Sequence, residues 1–259
     1  MAYEQQLTVI IPMFNEAKRA PATLEEIRIF TREHPGMVRE VLVVDDGSTD
    51  ATVEEVLRFS SKIKIRVLRL GSNCGKWAAI HWGLMEVVTD GVLLLDADGS
   101  ASIFELEKLD INRIFKERSA VFGSRFLPGS RVDGKNAARS FISKGYRWYV
   151  RRLLRFAAGK GSVVDDTQCP FKLFFLSKLR KYYTFREYTW ALLRVSRWAG
   201  DMEIALAMMG KVENHPVDFK HMRGSKIPFT AIFEMALESF MVARRFRRIR
   251  KKGVTYSVS

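Results

Sequence analysis

The sequence predicts an α/β fold with a mostly parallel sheet flanked by helices. Three observations predict it: apolar strand-like runs alternate with helical stretches through the first half, these runs are rich in β-branched residues, and polar clusters follow three of them. With 259 residues the chain is long enough for one large domain, and its 47% hydrophobic content is ordinary for a globular protein.

The first half alternates strands and helices in a regular order. The predicted elements are a strand at 7–12, a helix near 20–33, a strand at 40–46, a helix near 50–61, a strand at 64–70, a helix near 75–88 and a strand in "GVLLLDADGS". Ligands of such sheets bind beyond the carboxyl ends of the strands. The clusters "PMFNE", "DDGSTD" and "DADGS" follow these ends, so we expect them to meet at one edge.

The second half is less regular. A strand at 120–126 precedes a helix at 139–158, whose apolar residues recur at steps of three and four, with a cationic face opposite them formed by Lys144, Arg147, Arg151 and Arg155. Residues 227–259 read as an amphipathic helix that continues into a basic tail, "RRFRRIRKK". We therefore divide the chain into a main domain, 1–226, and this C-terminal segment.

The charge balance is strongly basic. Lys and Arg number 43 against 29 Asp and Glu, a formal net charge of +14, which attracts phosphates of nucleic acid, of anionic lipid or of a substrate. No nucleic-acid-binding signature appears, and acidic clusters at three strand ends repel a polyanion, so we expect no nucleic-acid partner. A non-catalytic scaffold is also disfavoured, because both the acidic pair Asp96 and Asp98 and the arginines Arg125 and Arg139 are present.

The N-terminus lacks a secretory signal, and no run of about 20 apolar residues offers a membrane span. Cys74 and Cys169 have no partner at metal-binding spacing and are interpreted as reduced thiols. We therefore expect a cytoplasmic protein.

Asp96 and Asp98 end an apolar run one residue apart, so their carboxylates point to the same side of an extended backbone. Like charges converging there require a cation between them. Mg²⁺ or Mn²⁺ fits, because these ions take one or two carboxylates and complete their shell with substrate phosphates and water. A solvated turn is the alternative for an isolated pair of this kind.

The stretches "VIIPMFNE", "VLVVDDGSTD", "LGSNCGKWAAIHWG" and "LLLDADGS" together resemble the inverting glycosyltransferases of family 2, which have the GT-A nucleotide-sugar fold, a Rossmann-like sheet. The stretches "FGSRF", "RSFISKGY", "DDTQCPFKLF" and "WAGDMEIAL" narrow the resemblance to the polyprenyl-phosphate branch. That resemblance implies transfer of glucose or mannose to dolichyl or polyprenyl phosphate at the cytosolic membrane face. It favours UDP-glucose as donor, with GDP-mannose next. A polysaccharide or another lipid-linked glycan is the alternative acceptor.

The resemblance also implies roles for individual residues. The nucleotide-sugar donor is expected at Pro12, Asn15, Glu16, Asp45, Asp46, Lys76, Asp96 and Asp98, of which Asp96 and Asp98 hold the metal. The acceptor phosphate is expected at Arg125, Arg139 and Ser143, and the catalytic residues at Asp166, Asp201 and Arg125.

Alternatives stay open at two of these positions, and two further residues beside such positions also bear on the prediction. The alternative for Asp45 is that it caps a turn. The alternative for Arg139 is that it is a solvated arginine in the first turn of a helix. Glu203, beside Asp201 in "GDMEIAL", belongs to the same acidic motif or is an ordinary acid at a helix N-terminus. Trp77 stands where the family commonly has Gly after the Lys, so the local geometry is expected to differ.

A lipid acceptor lies in a bilayer, whereas the sugar donor is soluble. The helix at 139–158 and the C-terminal segment are therefore expected to contact a membrane surface with anionic lipids, apolar faces dipping in and basic residues on headgroups. Ordinary packing against the core is the alternative for both. The sequence predicts a peripheral association and leaves the oligomeric state open.

Overall fold

The computed structural model describes residues 6–118, 120–134, 137–159, 164–177, 198–208, 212–221 and 229–251. The strands are β1 (Leu7–Met13), β2 (Val38–Asp45), β3 (Ile65–Arg69), β4 (Gly91–Leu94), β5 (Ala120–Ser124), β6 (Arg131–Asp133), β7 (Lys172–Phe175), β8 (Val212–Pro216) and β9 (Asp218–Lys220). The helices are α1 (Ala20–Glu33), α2 (Thr52–Leu57), α3 (Lys76–Glu86), α4 (Ile111–Glu117), α5 (Ala137–Ala158), α6 (Gly200–Ala207) and α7 (Phe229–Lys251), with a 3₁₀ turn at Ile103–Lys108.

Seven strands form one sheet in the order β3-β2-β1-β4-β7-β5-β8. All neighbours are parallel except β7, which runs antiparallel to both β4 and β5. The carboxyl ends of β1, β2, β4 and β5 therefore share one edge of the sheet with the amino end of β7. A small parallel pair, β6 and β9, lies apart from this sheet.

Apolar side chains cover both faces of the sheet, as the near-continuous apolar strands predicted. On one face, Ile10 and Leu42 pack with α3, α5, α6 and α7. On the other, Val9 and Val41 pack with α1 and the segment around the 3₁₀ turn. Alternation along each strand sends successive residues to opposite faces, so both layers are built from the same short runs.

The predicted order of the first four strands and three helices is confirmed, with ends shifted by a few residues. The helix predicted at 139–158 is α5, and the one predicted from 227 is α7, which continues through most of the basic tail. Strands β7 and β8 were not predicted. In the described part of the chain, no helix is both long and apolar enough to cross a membrane.

Candidate active site

The loop after β1 is bonded to the loop after β2 at the shared edge. The Asn15 backbone N–H donates to Ser48 Oγ at 2.9 Å, and Asn15 Oδ1 accepts from the Thr49 N–H at 2.9 Å. The Glu16 N–H donates to Thr52 Oγ1 at 2.8 Å. Asn15 has φ 55, a left-handed conformation that Asn tolerates better than most residues.

The two predicted donor-side residues that flank this junction also lie at the edge. Pro12 lies in β1 opposite Val44 of β2. The Glu16 carboxylate forms a two-fold hydrogen bond with Arg19, at the start of α1. The sequence therefore predicted correctly that "PMFNE" and "DDGSTD" meet.

Asp45 and Asp46, at the end of β2, face different partners. Asp45 is fully buried; its Oδ1 accepts from the Ser48 N–H at 3.2 Å, which is the hydrogen bond expected of a turn cap, and its Oδ2 lies 3.4 Å from Arg69 Nε. Both Asp46 oxygens accept backbone N–H groups, from Cys74 and Gly75, each at 2.8 Å. Asp46 thus holds the loop that leads into α3.

Lys76 begins α3, and its Nζ lies 2.5 Å from Asp96 Oδ1. Burial acts to lower the pKa of Lys76, but the carboxylates of Asp96 and Asp201 outweigh it, so this pKa is raised. Lys76 therefore stays charged and faces the acidic pair from the donor-loop side.

The Asp98 carboxylate accepts the Ser100 N–H at 3.0 Å across a turn in which Gly99 has φ 66. Among the described residues no three His, Cys, Asp or Glu side chains converge as a complete metal site. Two carboxylates at the mouth of the sheet still fit a cation that is completed by substrate phosphates and water. The donor set of Asp96 and Asp98 therefore suits Mg²⁺ or Mn²⁺.

Arg125 and Asp166 form a buried ion pair at the end of β5. Arg125 Nε lies 2.7 Å from Asp166 Oδ2 and Nη2 lies 3.0 Å from Oδ1, and the Arg125 backbone N–H also donates to Oδ2. The two side chains are 14% and 3% exposed. Burial acts to lower the pKa of Arg125, but Asp166 outweighs it and raises this pKa further above its normal value.

Asp165, next in the chain, binds two further arginines. Its carboxylate accepts from Ser124 Oγ at 2.6 Å, from Arg151 Nη1 at 2.7 Å and from Arg147. The predicted cationic face of α5 is thus divided: Arg147 and Arg151 turn toward the strand edge, because a buried carboxylate lies there. Asp165 and both arginines were missed as site residues, since nothing local in "VVDDTQ" tells which helix approaches it.

These side chains line a pocket beside the sheet edge. Its lining includes Arg125, Arg147, Arg151, Ser143 and Tyr146, together with residues 164–168. Arg125 and Ser143, both expected at the acceptor phosphate, thus line the same pocket. Arg139 lies in the first turns of α5, and its side chain falls outside the described residues.

Asp201 lies in the first turn of α6 and pairs with a lysine that the sequence did not single out. Asp201 Oδ1 lies 2.7 Å from Lys172 Nζ, and Lys172 is only 3% exposed. Burial raises the pKa of Asp201, although Lys172 and Lys76 act in the opposite direction. The lysine within the apolar run "FKLFF" was the available signal, because a buried lysine requires an anionic partner.

Known proteins are similar to this chain over most of its length. Residues 8–182 match the sequence profile of Glycosyl transferase family 2. The chain is 31% identical to the dolichyl-phosphate beta-glucosyltransferase of Drosophila melanogaster, over 93% of this chain and 75% of that protein. It is 30% identical to the enzymes of the same name from Homo sapiens, over 93% and 76%, and Saccharomyces cerevisiae, over 92% and 72%.

Solved structures show the same fold. A glucosyl-3-phosphoglycerate synthase from Mycobacterium tuberculosis, crystallised with Mn²⁺, UDP and glucosyl-3-phosphoglycerate, has a TM-score of 0.63 at 14% identity, covering 95% of this chain and 81% of that one. A mannosyl-3-phosphoglycerate synthase from Rubrobacter xylanophilus has a TM-score of 0.62 at 15% identity, covering 98% and 77%. With its GT-A fold and its matching sequence profile, this chain belongs to glycosyl transferase family 2.

Proposed function

We propose that the chain transfers glucose, with inversion, from UDP-glucose to dolichyl or polyprenyl phosphate, using Mg²⁺ or Mn²⁺. The names of the relatives at about 30% identity support the sugar and the acceptor. The Mn²⁺ and UDP bound in a structural neighbour support the nucleotide and the metal. GDP-mannose is the second candidate donor, and a glycan the second candidate acceptor.

The pocket of arginines beside the acidic edge is the observation that carries the proposal. Three guanidinium groups, Arg125, Arg147 and Arg151, share it with the Ser143 side chain. Among the described residues that line the pocket, the two carboxylates of Asp165 and Asp166 balance them. A phosphate group complements this excess of positive charge, and guanidinium groups bind its oxygens in pairs. A neutral sugar acceptor has no need of it.

The chemistry that follows requires little acid–base catalysis by the protein. A phosphate monoester has its second pKa near about 6, so the acceptor oxygen is already an anion at neutral pH. That oxygen forms the bond to the anomeric carbon as the bond to the UDP oxygen breaks on the opposite side, which inverts the carbon. The work of Arg125 and Ser143 is to hold the attacking oxygen in line.

The donor side holds the leaving group. Asp96 and Asp98 would hold the metal ion, which supplies Lewis-acid stabilisation of the diphosphate charge when bound. Lys76 adds a fixed positive charge beside Asp96. Asp45, Asp46 and Asn15 shape the nucleotide pocket through the loops they fasten.

The test is transfer of labelled sugar to dolichyl phosphate in detergent, with UDP-glucose and GDP-mannose assayed separately, with and without Mn²⁺ or Mg²⁺. We expect metal-dependent lipid labelling from UDP-glucose. Asp98→Ala should abolish it, whereas Asp133→Ala, an exposed aspartate in β6, should leave it intact. Labelling from GDP-mannose alone would replace the sugar, and binding of UDP-glucose without lipid labelling would move the proposal to a glycan acceptor.

An exposed apolar stripe on α7 supports a membrane contact, where a lipid acceptor would be presented; we propose that this contact is at the cytosolic face. Phe233, Leu237, Phe240 and Met241 are exposed by 43–75% and follow one another at helical spacing. The same stripe continues into exposed Arg244 and Arg248. An apolar stripe that ends in cations fits the surface of an anionic bilayer, with the apolar side chains in the acyl region and the arginines on headgroups.

Vesicle flotation tests this stripe with a matched pair of leucines. Leu237 on α7 and Leu57 on α2 are both 51% exposed. Leu237→Glu should lower binding to vesicles that contain anionic lipid by about tenfold, because a buried leucine side chain contributes about 1.5–3 kcal/mol. Leu57→Glu should bind like the wild type, and equal binding by all three proteins would reject α7 as the contact.

A further inference from the structure

Trp77 lies at the start of α3, directly after Lys76, and is 5% exposed. Its indole ring packs against Gly200, the first residue of α6. A Cβ atom built on Gly200 would lie 2.2 Å from Cδ2 of Trp77, far closer than real contacts allow. Gly200 has no positive φ, so its backbone does not require glycine. The tryptophan alone excludes a side chain there.

The same indole reaches the buried ion pair. Lys172 Nζ lies 5.8 Å from the centroid of the Trp77 ring, close enough for a cation–π contact. Lys172 also donates to the Cys169 carbonyl at 2.5 Å and pairs with Asp201 at 2.7 Å. Trp77 thus contacts the backbone that bears Asp201 on one side and the cation that binds Asp201 on the other.

This arrangement connects the two sides of the site. Lys76, the neighbour of Trp77, is paired with Asp96, where the leaving diphosphate is proposed to bind. Asp201, the neighbour of Gly200, is paired with Lys172 of β7, the strand that follows the Asp166 loop. One rigid ring therefore separates the first turn of α3 from the first turn of α6.

We propose that Trp77 is a positioning residue: packed against Gly200 and Lys172, it fixes the distance between Lys76 on the donor side and the Lys172–Asp201 pair. The proposal rests on the proposed sugar transfer and adds a specific determinant of its geometry. A side chain of this size, once removed, leaves a cavity that the surroundings fill only in part, so α6 can shift toward α3. A shift of about 1 Å in such a site is enough to lower the rate of the chemical step.

A size swap tests the spacing. Trp77→Ala leaves a cavity between α3 and α6, and Gly200→Leu places a side chain where the indole already lies. In the double variant, the leucine at position 200 fills the cavity that the indole leaves. We expect each single variant to lower kcat at least tenfold, with the Kd for UDP and Mn²⁺ changed less than threefold, because the Asp46 and Asp96 contacts remain. The double variant should recover kcat to within about threefold of the wild type.

Controls separate positioning from general damage. Trp82→Ala truncates a 40% exposed tryptophan on the same helix and should keep kcat, and Trp77→Phe should lose less than Trp77→Ala. Urea unfolding measures the free energy of unfolding of all variants, independently of activity. If Trp77 packs on Gly200, the effect of the double variant should differ from the sum of the two single effects.

The outcomes are distinct. An active wild type with a double variant no better than the poorer single variant contradicts the role of Trp77, as does a Trp77→Ala variant with unchanged kcat. The role of Trp77 is also contradicted if the two single variants lose activity only because their Kd for UDP rises. If the wild type transfers no sugar, the proposed function is contradicted instead. In that case the unfolding measurement still tests the contact, because the absence of coupling between the two changes would reject the packing of Trp77 on Gly200.

Discussion

The two sides of the site hold their carboxylates in different ways. The donor side consists of the loops after β1, β2 and β4. There, the Asp46 and Asp98 carboxylates accept backbone N–H groups at 2.8–3.0 Å. The acceptor side consists of the loop before β7 and helix α5. There, the Asp165 and Asp166 carboxylates accept hydrogen bonds mainly from arginine side chains. Main chain therefore holds Asp46 and Asp98 on the donor side, where Asp96 is instead paired with Lys76. Ion pairs hold Asp165 and Asp166 on the acceptor side.

The proposed function gives a physical reason for this difference. Backbone N–H groups have fixed positions, so a pocket built on them is already formed before a nucleotide binds. An arginine paired with a carboxylate stays charged in a buried place and can share its donors with an incoming phosphate. We infer that the loops fastened by Asp46 and Asp98 supply shape on the donor side, and that the paired arginines supply charge on the acceptor side.

Asp166→Asn should give the largest effect, because it leaves Arg125 buried without its anion. We expect kcat/KM for the lipid phosphate to fall about 100-fold, since a hydrogen bond to a charged group is worth about 1.5–3 kcal/mol. Asp218→Asn, which alters a surface pair with Lys108, should change activity less than threefold.

The pH–rate profile of the Asp166→Asn variant distinguishes positioning from base catalysis. Because the acceptor is already an anion, the wild-type and variant profiles should have the same shape, with the variant lower throughout. If the wild type shows a rise of rate with pH that the variant lacks, Asp166 is a catalytic base and the ion-pair account of the acceptor side is wrong.

Asp46→Asn tests the donor side and should have an intermediate effect. The amide offers one acceptor oxygen and one NH₂ group, so the N–H of Cys74 or of Gly75 loses its partner. We expect the KM for UDP-glucose to rise about tenfold while kcat changes less than threefold, since one such hydrogen bond is worth about 1.5 kcal/mol.

Asp90→Asn is the matched control for that variant. Asp90 accepts the Ser177 N–H at the opposite edge of the sheet, so its loss should lower the free energy of unfolding and leave the KM unchanged. A similar rise in KM for both variants would mean that the KM reports general loosening rather than the loop before α3.

The sequence revealed the donor side better than the acceptor side for a physical reason. The donor clusters follow strands whose order along the chain largely sets their order in space, so "PMFNE", "DDGSTD" and "DADGS" could be placed together by topology. The Arg125–Asp166 and Lys172–Asp201 pairs join segments brought together by an antiparallel strand, β7, that the pattern did not reveal. Its four residues are too short for a clear period, and the lysine at its start does not look like a core position.

Glu203, which the sequence left either in the acidic motif or as an ordinary acid at a helix N-terminus, extends the comparison to a carboxyl group whose protonation is set mainly by burial. Among the described residues its Oε1 has no hydrogen-bond partner, and it lies in the first turn of α6. Burial raises the pKa of Glu203 to about 8, with Arg245 opposing and Glu238 adding to the shift. At neutral pH this group is therefore mainly protonated, unlike the paired aspartates.

The last expected effect is on stability rather than on activity, and it follows from that raised pKa. Between pH 4.5 and about 8 the folded protein holds a proton on Glu203 that the unfolded chain releases, so the free energy of unfolding falls as pH rises through this window. Glu203→Gln should remove that slope and gain on the order of 2 kcal/mol over the wild type between pH 5 and pH 8.5, measured by urea unfolding. Glu54→Gln, an exposed acid in the first turn of α2, should keep the wild-type slope. Parallel slopes for all three proteins would mean that Glu203 is ionised when folded and has a partner after all, which would place it with the paired carboxylates of the acceptor side.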